Sequence, residues 1–167
     1  MTFLPENYRA PQTGNYFKFK DGDNTVRILG SAIVGYEYWN TDNKPVRSKE
    51  PFKTLPQDIR ADKDGNPTKI KHFWCFPVYN YDAERVQIME VTQQTIRDAI
   101  KALIDNAKWG DPKSYDLTIT RSGEGFDTTY QVMPNPHSEL AENIKVQYET
   151  TKINLEALYD GGDPFGV

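Results

Sequence analysis

Residues 69–81 read KIKHFWCFPVYNY. The run is short and dense in aromatic residues, which argues for a strand. Along a strand, successive side chains point to opposite faces. Lys71, Phe73, Cys75, Tyr79 and Tyr81 then share one side, and Ile70, His72, Trp74, Phe76 and Val78 the other. Both sides carry large apolar or aromatic groups. One side can enter a core. The other needs either a cover or a ligand.

Working outward, a polar stretch precedes this strand, Asn40–Thr68, containing Pro45, Pro51, Pro56, Pro67 and a DKDGNP turn. A connection that long in a compact domain is usually functional or disordered. Before it, NYFKFKDGDNTVRILG (residues 15–30) reads as a hairpin around its DGDN turn, whose Gly and Asx residues tolerate positive φ. SAIVGYEYW (31–39) continues as a strand, with Gly35 marking a bulge or bend.

On the other side, YDAER turns the chain into a second strand, VQIMEV. TQQTIRDAIKALIDNAKWGDP (92–112) is the clearest helix. Ile96, Ala99, Ile100, Leu103, Ile104 and Ala107 fall on one face, Thr92 is the candidate N-cap, and Gly110 with Pro112 ends it. SYDLTITRSGEGFDTTYQVMP (114–134) is a hairpin around SGEG. A weaker helix starts near Ser138, with Leu140, Ile144, Tyr148, Leu155 and Leu158 as its stripe.

The resulting order is a long bent strand, strand, strand, helix, strand, strand. That is the order of an OB-fold, a five-stranded Greek-key barrel with a helix between strands 3 and 4, here followed by a C-terminal helix. A generic β-rich α+β domain has the same order. The expected division is a barrel domain over 1–135 with a long basic loop at 40–68, a helical segment over 136–159 and a flexible acidic tail over 160–167.

A chain of 167 residues fits one domain plus a tail. The single cysteine, Cys75, excludes an intramolecular disulfide and suits a reducing cytoplasm. The opening MTFLPENYRAPQ lacks a basic flank followed by an apolar run, so no secretory leader is read there. No apolar stretch approaches the roughly 18 residues of a membrane span. The expectation is a soluble, intracellular protein without a membrane partner.

The net charge of −4 argues at first against nucleic acid. Its distribution argues otherwise. Residues 43–73 carry eight Lys/Arg against four Asp/Glu, and residues 134–167 carry two Lys against six Asp/Glu. Charges act over a screening length of about 10 Å, so local balance governs contacts.

Motifs for catalysis are missing. There is no Gly-x-Ser-x-Gly, Walker loop, His-Glu-x-x-His or Gly-x-Gly-x-x-Gly. His72 and His137 have no nucleophile or acid at local spacing, and His72 and Cys75 fall on opposite faces of their strand. A structural zinc site wants about four N or S ligands. The reading is therefore no enzyme, no metal and no cofactor.

The aromatic strand beside a basic loop suits single-stranded nucleic acid, whose bases offer π-faces joined by a charged backbone. Candidate stacking residues are Tyr36, Tyr38, Trp39, Phe73, Trp74, Phe76, Tyr79 and Tyr81. Candidate phosphate contacts are Lys44, Arg47, Lys49, Lys53, Lys69, Lys71, Arg27 and Arg121. The competing reading makes the rings core, with the C-terminal helix covering the outer face. A second functional class, a protein-interaction or structural module, would use the same surplus aromatics as a partner surface. An exposed stripe near 140–158 could pair two chains.

The segments NYFKFKDGDNTVRILG, IVGYEYW, KHFWCFPVYNY and EVTQQTIRDAIKALIDNAKWGDPKSYDLTITRSGEGFDTTYQV, spanning roughly residues 15–133, resemble the bacteriophage and prophage single-stranded DNA-binding proteins. The resemblance implies an OB-fold, stoichiometric binding of single-stranded DNA without sequence preference, no catalysis, and a place in phage replication and recombination. It also implies replication or recombination proteins as partners, reached through the acidic C-terminus, here Asp160, Asp163, Pro164 and Phe165. The tail departs from the bacterial pattern in having fewer acids and in Gly166 and Val167 following Phe165. Zinc, held by some phage relatives, is not implied, because the ligands are missing.

Overall fold

A computed structural model of the chain describes residues 3–4 and 14–166. Most of the stretch read as lacking a leader, and Val167, lie outside the described residues. Seven strands form one antiparallel sheet: β1 (Gly22–Ile28), β2 (Ile33–Trp39), β3 (Pro45–Ser48), β4 (Lys71–Asn80), β5 (Arg85–Val91), β6 (Tyr115–Ser122) and β7 (Thr129–His137). The described residues also form two α-helices, α1 (Gln94–Asp105) and α2 (Glu142–Thr150), and a 3-10 turn over Leu155–Asp160 follows α2.

The aromatic stretch is the centre of the sheet. β4 pairs with β2 and β1 along one edge and with β5 along the other. β1 continues to β6, and β6 to β7. The expected long bent strand is β1 plus β2. Its bend falls at residues 29–32 and not at Gly35. Ile28 pairs Val78 and Ile33 pairs Cys75, so five residues of the bent strand pass while β4 steps three. Gly30 lies in this bend, where an added Cβ would lie 2.5 Å from the Tyr148 hydroxyl. Gly35 instead admits the end of β3: a Cβ there would sit 2.3 Å from the Ser48 carbonyl oxygen.

A closed five-stranded barrel is not what forms. The sheet is open, with no pairing of β5 to β7 among the described residues. One edge of β5 is partly taken by the N-terminal segment instead: the Phe17 N–H donates to the Ile88 carbonyl at 2.8 Å, and the Ile88 N–H to that of Asn15 at 2.9 Å. For the same reason the hairpin expected over residues 15–30 is absent. Its first arm runs to β5, while Phe17 and Phe19 pack against the main core.

α1 covers one face of the sheet. Ile96 and Ile100 are buried with Val26, Phe76, Val78, Met89, Leu117 and Ile119, which spaces the core side chains by one helical turn. Leu103 packs at the margin; Ile104 is exposed and Ala107 lies beyond the helix end. The N-cap is Gln93 and not Thr92, and its side chain makes no cap bond. After the C-cap residue Asn106, the chain turns through Gly110 at φ 63°, whose N–H returns to the Asn106 carbonyl.

The C-terminal segment covers the other face. Ile144 is buried with Leu29, Tyr79 and Val86, and Leu140, Tyr148 and Ile153 pack around them. Leu158 is buried with Phe73, Cys75 and Ile88, flanked by Ile33, Leu155, Tyr159 and Phe165. The single stripe expected along one helix is thus divided between α2 and the 3-10 turn. It packs on the chain's own sheet. Residues 160–166, expected as a flexible tail, fold back: the Asn154 N–H donates to the Pro164 carbonyl at 2.7 Å, and the Tyr159 hydroxyl donates to that of Val34 at 2.6 Å.

Candidate nucleic-acid interface

This packing decides what the outer face of β4 is for. Phe73 has no exposed surface, and Phe76 and Tyr79 are also buried. Burying one such ring contributes about 1.5–3 kcal/mol to folding. Phe73, Phe76 and Tyr79 are therefore core residues in this structure and not open stacking platforms. Trp74 packs at the edge of the main core and lines a small cavity of about 290 Å³ with Ile28, Phe76 and Ile100. Tyr81 is tied down, its hydroxyl donating to Asp116 Oδ1 at 2.8 Å. Burial first, then that carboxylate, pushes the Tyr81 phenol up to about 12.

The cations separate in the same way. Arg27 is 2 % exposed; it donates to Asp116 Oδ1 at 2.9 Å, to the Lys113 carbonyl at 3.1 Å and to the Ser138 carbonyl. It joins β1 to β6 and to the approach to α2, and does not reach solvent. Arg121 pairs with Asp21 at 3.2 Å. Lys49 pairs with Glu156 at 3.1 Å and stands 5.1 Å from the Tyr159 ring centre. Lys53, Lys69 and Lys71 are exposed and line neither the cavity beside Trp74 nor the groove on the outer face.

The outer face carries an open groove of about 620 Å³. Its floor is Ile88 and Glu90 from β5 and Arg47 from β3. Tyr16 and Lys18 come from the N-terminal segment, Trp39 from the end of β2, Lys44 from the β2–β3 connection, and Leu158, Gly161 and Gly162 from the C-terminal segment. Trp39 is 38 % exposed, and the Arg60 guanidinium from the long loop stands 5.6 Å over its ring. Strand alternation puts Glu37 and Trp39 on the groove side of β2. Tyr36 and Tyr38 point the other way, where Tyr36 meets the His72 ring at 5.1 Å and Tyr38 packs on Phe52 and donates to Asp58 Oδ1 at 2.8 Å.

Of the residues singled out in the sequence, the groove collects Trp39, Lys44 and Arg47. Tyr16, Lys18, Glu90 and Arg60 were not foreseen. Tyr16 and Lys18 sit in an arm whose local pattern pointed to a hairpin with β1, and nothing in its spacing signals docking on β5. From the tail, Phe165 packs beside Tyr16, ring centres 6.3 Å apart and edge to face, while Pro164 is buried and the Asp163 carboxylate accepts from the Phe165 N–H at 2.9 Å. Elsewhere, Phe126 stands fully exposed at the tip of the β6–β7 hairpin, in a turn that Gly123 permits at φ 84°.

Among the described residues no helix is long and apolar enough to cross a membrane, and no group of three or more His, Cys, Asp or Glu side chains is placed to hold a metal ion.

No protein-family model matches the chain, and no solved structure matches it. A curated relative does: a protein of Escherichia phage T5 described as "Probable ssDNA-binding protein" is 29% identical over 138 residues, covering 70% of this chain and 53% of the relative. The chain thus spans about half the length of the curated relative it matches. Over most of its own length, this chain is similar to a phage protein named for the binding of single-stranded DNA.

Proposed function

We propose that this protein binds single-stranded DNA without sequence preference, by stacking and charge and without catalysis, in the groove between the long loop and the C-terminal segment. The observation that carries the reading is the convergence of Trp39 and Tyr16 with Lys18, Lys44 and Arg47 in one open groove. Similarity to the T5 protein supports the choice of ligand. An aromatic platform beside a positive groove is the arrangement that single strands need, each stacked base contributing about 1–3 kcal/mol. The pairing of the bent strand with β4 and β6, with α1 between β5 and β6, supports reading the sheet as an opened relative of the OB-fold. The biological setting is phage-type DNA replication and recombination, where the protein coats exposed strands in the host cytoplasm. Asp160, Asp163, Pro164 and Phe165 are the residues through which replication or recombination proteins would be reached.

A fluorescence titration with oligo-dT at low and high salt tests this reading. Trp39 lines the groove while Trp74 and Trp109 pack at the margin of the core, so quenching should come chiefly from Trp39 and vanish in Trp39→Phe. The logarithm of the affinity should fall with the logarithm of salt at about −0.7 per phosphate neutralised. An affinity that salt leaves unchanged, or no quenching at any salt, rejects the groove.

A further inference from the structure

Arg47 lies on the groove floor, but its guanidinium is already engaged twice. Its Nε donates to Glu37 Oε2 at 3.1 Å, and a terminal nitrogen donates to Glu90 Oε2 at 2.8 Å. The Glu37 side chain is 3 % exposed, beneath the floor, whereas Glu90 lines the groove. Two ionised carboxylates around one guanidinium sum to −1. Both carboxylates bond the same guanidinium, so two like charges are held at one site, an arrangement that favours a proton on one of them. Burial first, and then the neighbouring Glu90, hold the Glu37 carboxyl up at about 8.

The remaining groups around the triad come from every packed element. From β4, the Cys75 thiol donates to Glu90 Oε2 at 3.5 Å, and Lys71 lies opposite Glu37 in register. From the N-terminal segment come Tyr16 and Lys18, and from the β2–β3 connection comes Lys44. From the C-terminal segment, Asp163 lies near enough to Tyr16 to act on its phenol.

We propose that the Glu37–Arg47–Glu90 triad makes occupation of the groove by a phosphate backbone proton-linked, the carboxyl pair taking up a proton as the strand binds. The inference rests on the groove being the single-strand site. A phosphate arriving beside Arg47 meets a neutral triad when the proton is present and a triad of charge −1 when it is absent. The anion therefore favours the protonated form, and by reciprocity protonation favours the anion. Glu37 acts through Arg47 and is a positioning residue.

The test is the affinity for oligo-dT at fixed salt from about pH 7 to pH 9. The wild type should weaken several-fold across this range, with a limit of about tenfold per pH unit for one proton. Glu37→Gln is the control, and its profile should be much flatter than that of the wild type. Equal slopes in wild type and Glu37→Gln overturn the proposal. A measurement that needs no variant is calorimetric titration of the wild type at about pH 8 in two buffers of different ionisation enthalpy. Net uptake of a fraction of a proton is expected, and zero uptake or release overturns the proposal. Binding with no pH dependence removes the linkage and leaves the groove standing; no binding at any pH removes both.

Discussion

Trp39 ends β2 with its ring at the groove, held from the loop side by Arg60. Trp39→Ala should weaken oligo-dT binding by about 1–3 kcal/mol, the worth of one stacked base, as read by anisotropy of a labelled strand. The melting temperature should move little, because the ring is outside the buried clusters. Gly35 is the opposite kind of residue. It does not line the groove, yet Gly35→Ala drives a methyl group into the Ser48 carbonyl. About 1–3 kcal/mol of destabilisation is expected in a denaturant titration, the usual cost of overpacking. At this scale the sequence was legible where a residue's role is local. Trp39 and Lys44 stand in an exposed, basic, aromatic neighbourhood that composition alone marks. Arg27 was not legible, because the partners that bury it come from Lys113, Asp116 and Ser138, all more than eighty positions away. Arg47 was legible as a cation but not as one shared by two carboxylates.

The elements tell a related story. The double-sided aromatic pattern of β4 correctly implied that both faces must be occupied, and it could not say by what. α1 declares itself by period. The C-terminal segment does not, since its apolar residues are divided between α2 and a 3-10 turn and no one period runs through them. Leu158 is the part of this cover that can be removed cleanly. Leu158→Ala should cost about 2–5 kcal/mol and loosen the layer over Cys75. Burial pushes that thiol well up and leaves it unreactive in the native protein. A thiol reagent should therefore label Cys75 much faster in Leu158→Ala than in the wild type. Equal labelling rates would mean the segment does not protect this face.

At the scale of the whole molecule, stability should carry the signature of Glu37. Its carboxyl is lifted from an ordinary value of 4.5 to about 8 in the folded protein. Between those values the folded state holds a proton that the unfolded state has lost, so this group's contribution is full in acid and declines as pH rises through the window. Melting temperatures measured from about pH 5 to pH 8 should fall more steeply for the wild type than for Glu37→Gln. β3 lies inside the stretch expected as the long loop 40–68, but the order of the remaining elements was readable along the chain. The open sheet was not, because closing it or leaving it open depends on whether β5 takes β7 or the N-terminal segment as its neighbour, and both carry suitable residues. β4 stands at the middle of that arrangement, bonded along both edges and roofed on both faces. Its backbone amides should be the last in the protein to trade hydrogen for deuterium, exchanging only when the whole molecule opens, so that the slowest amides of Phe73–Val78 report the global unfolding free energy directly.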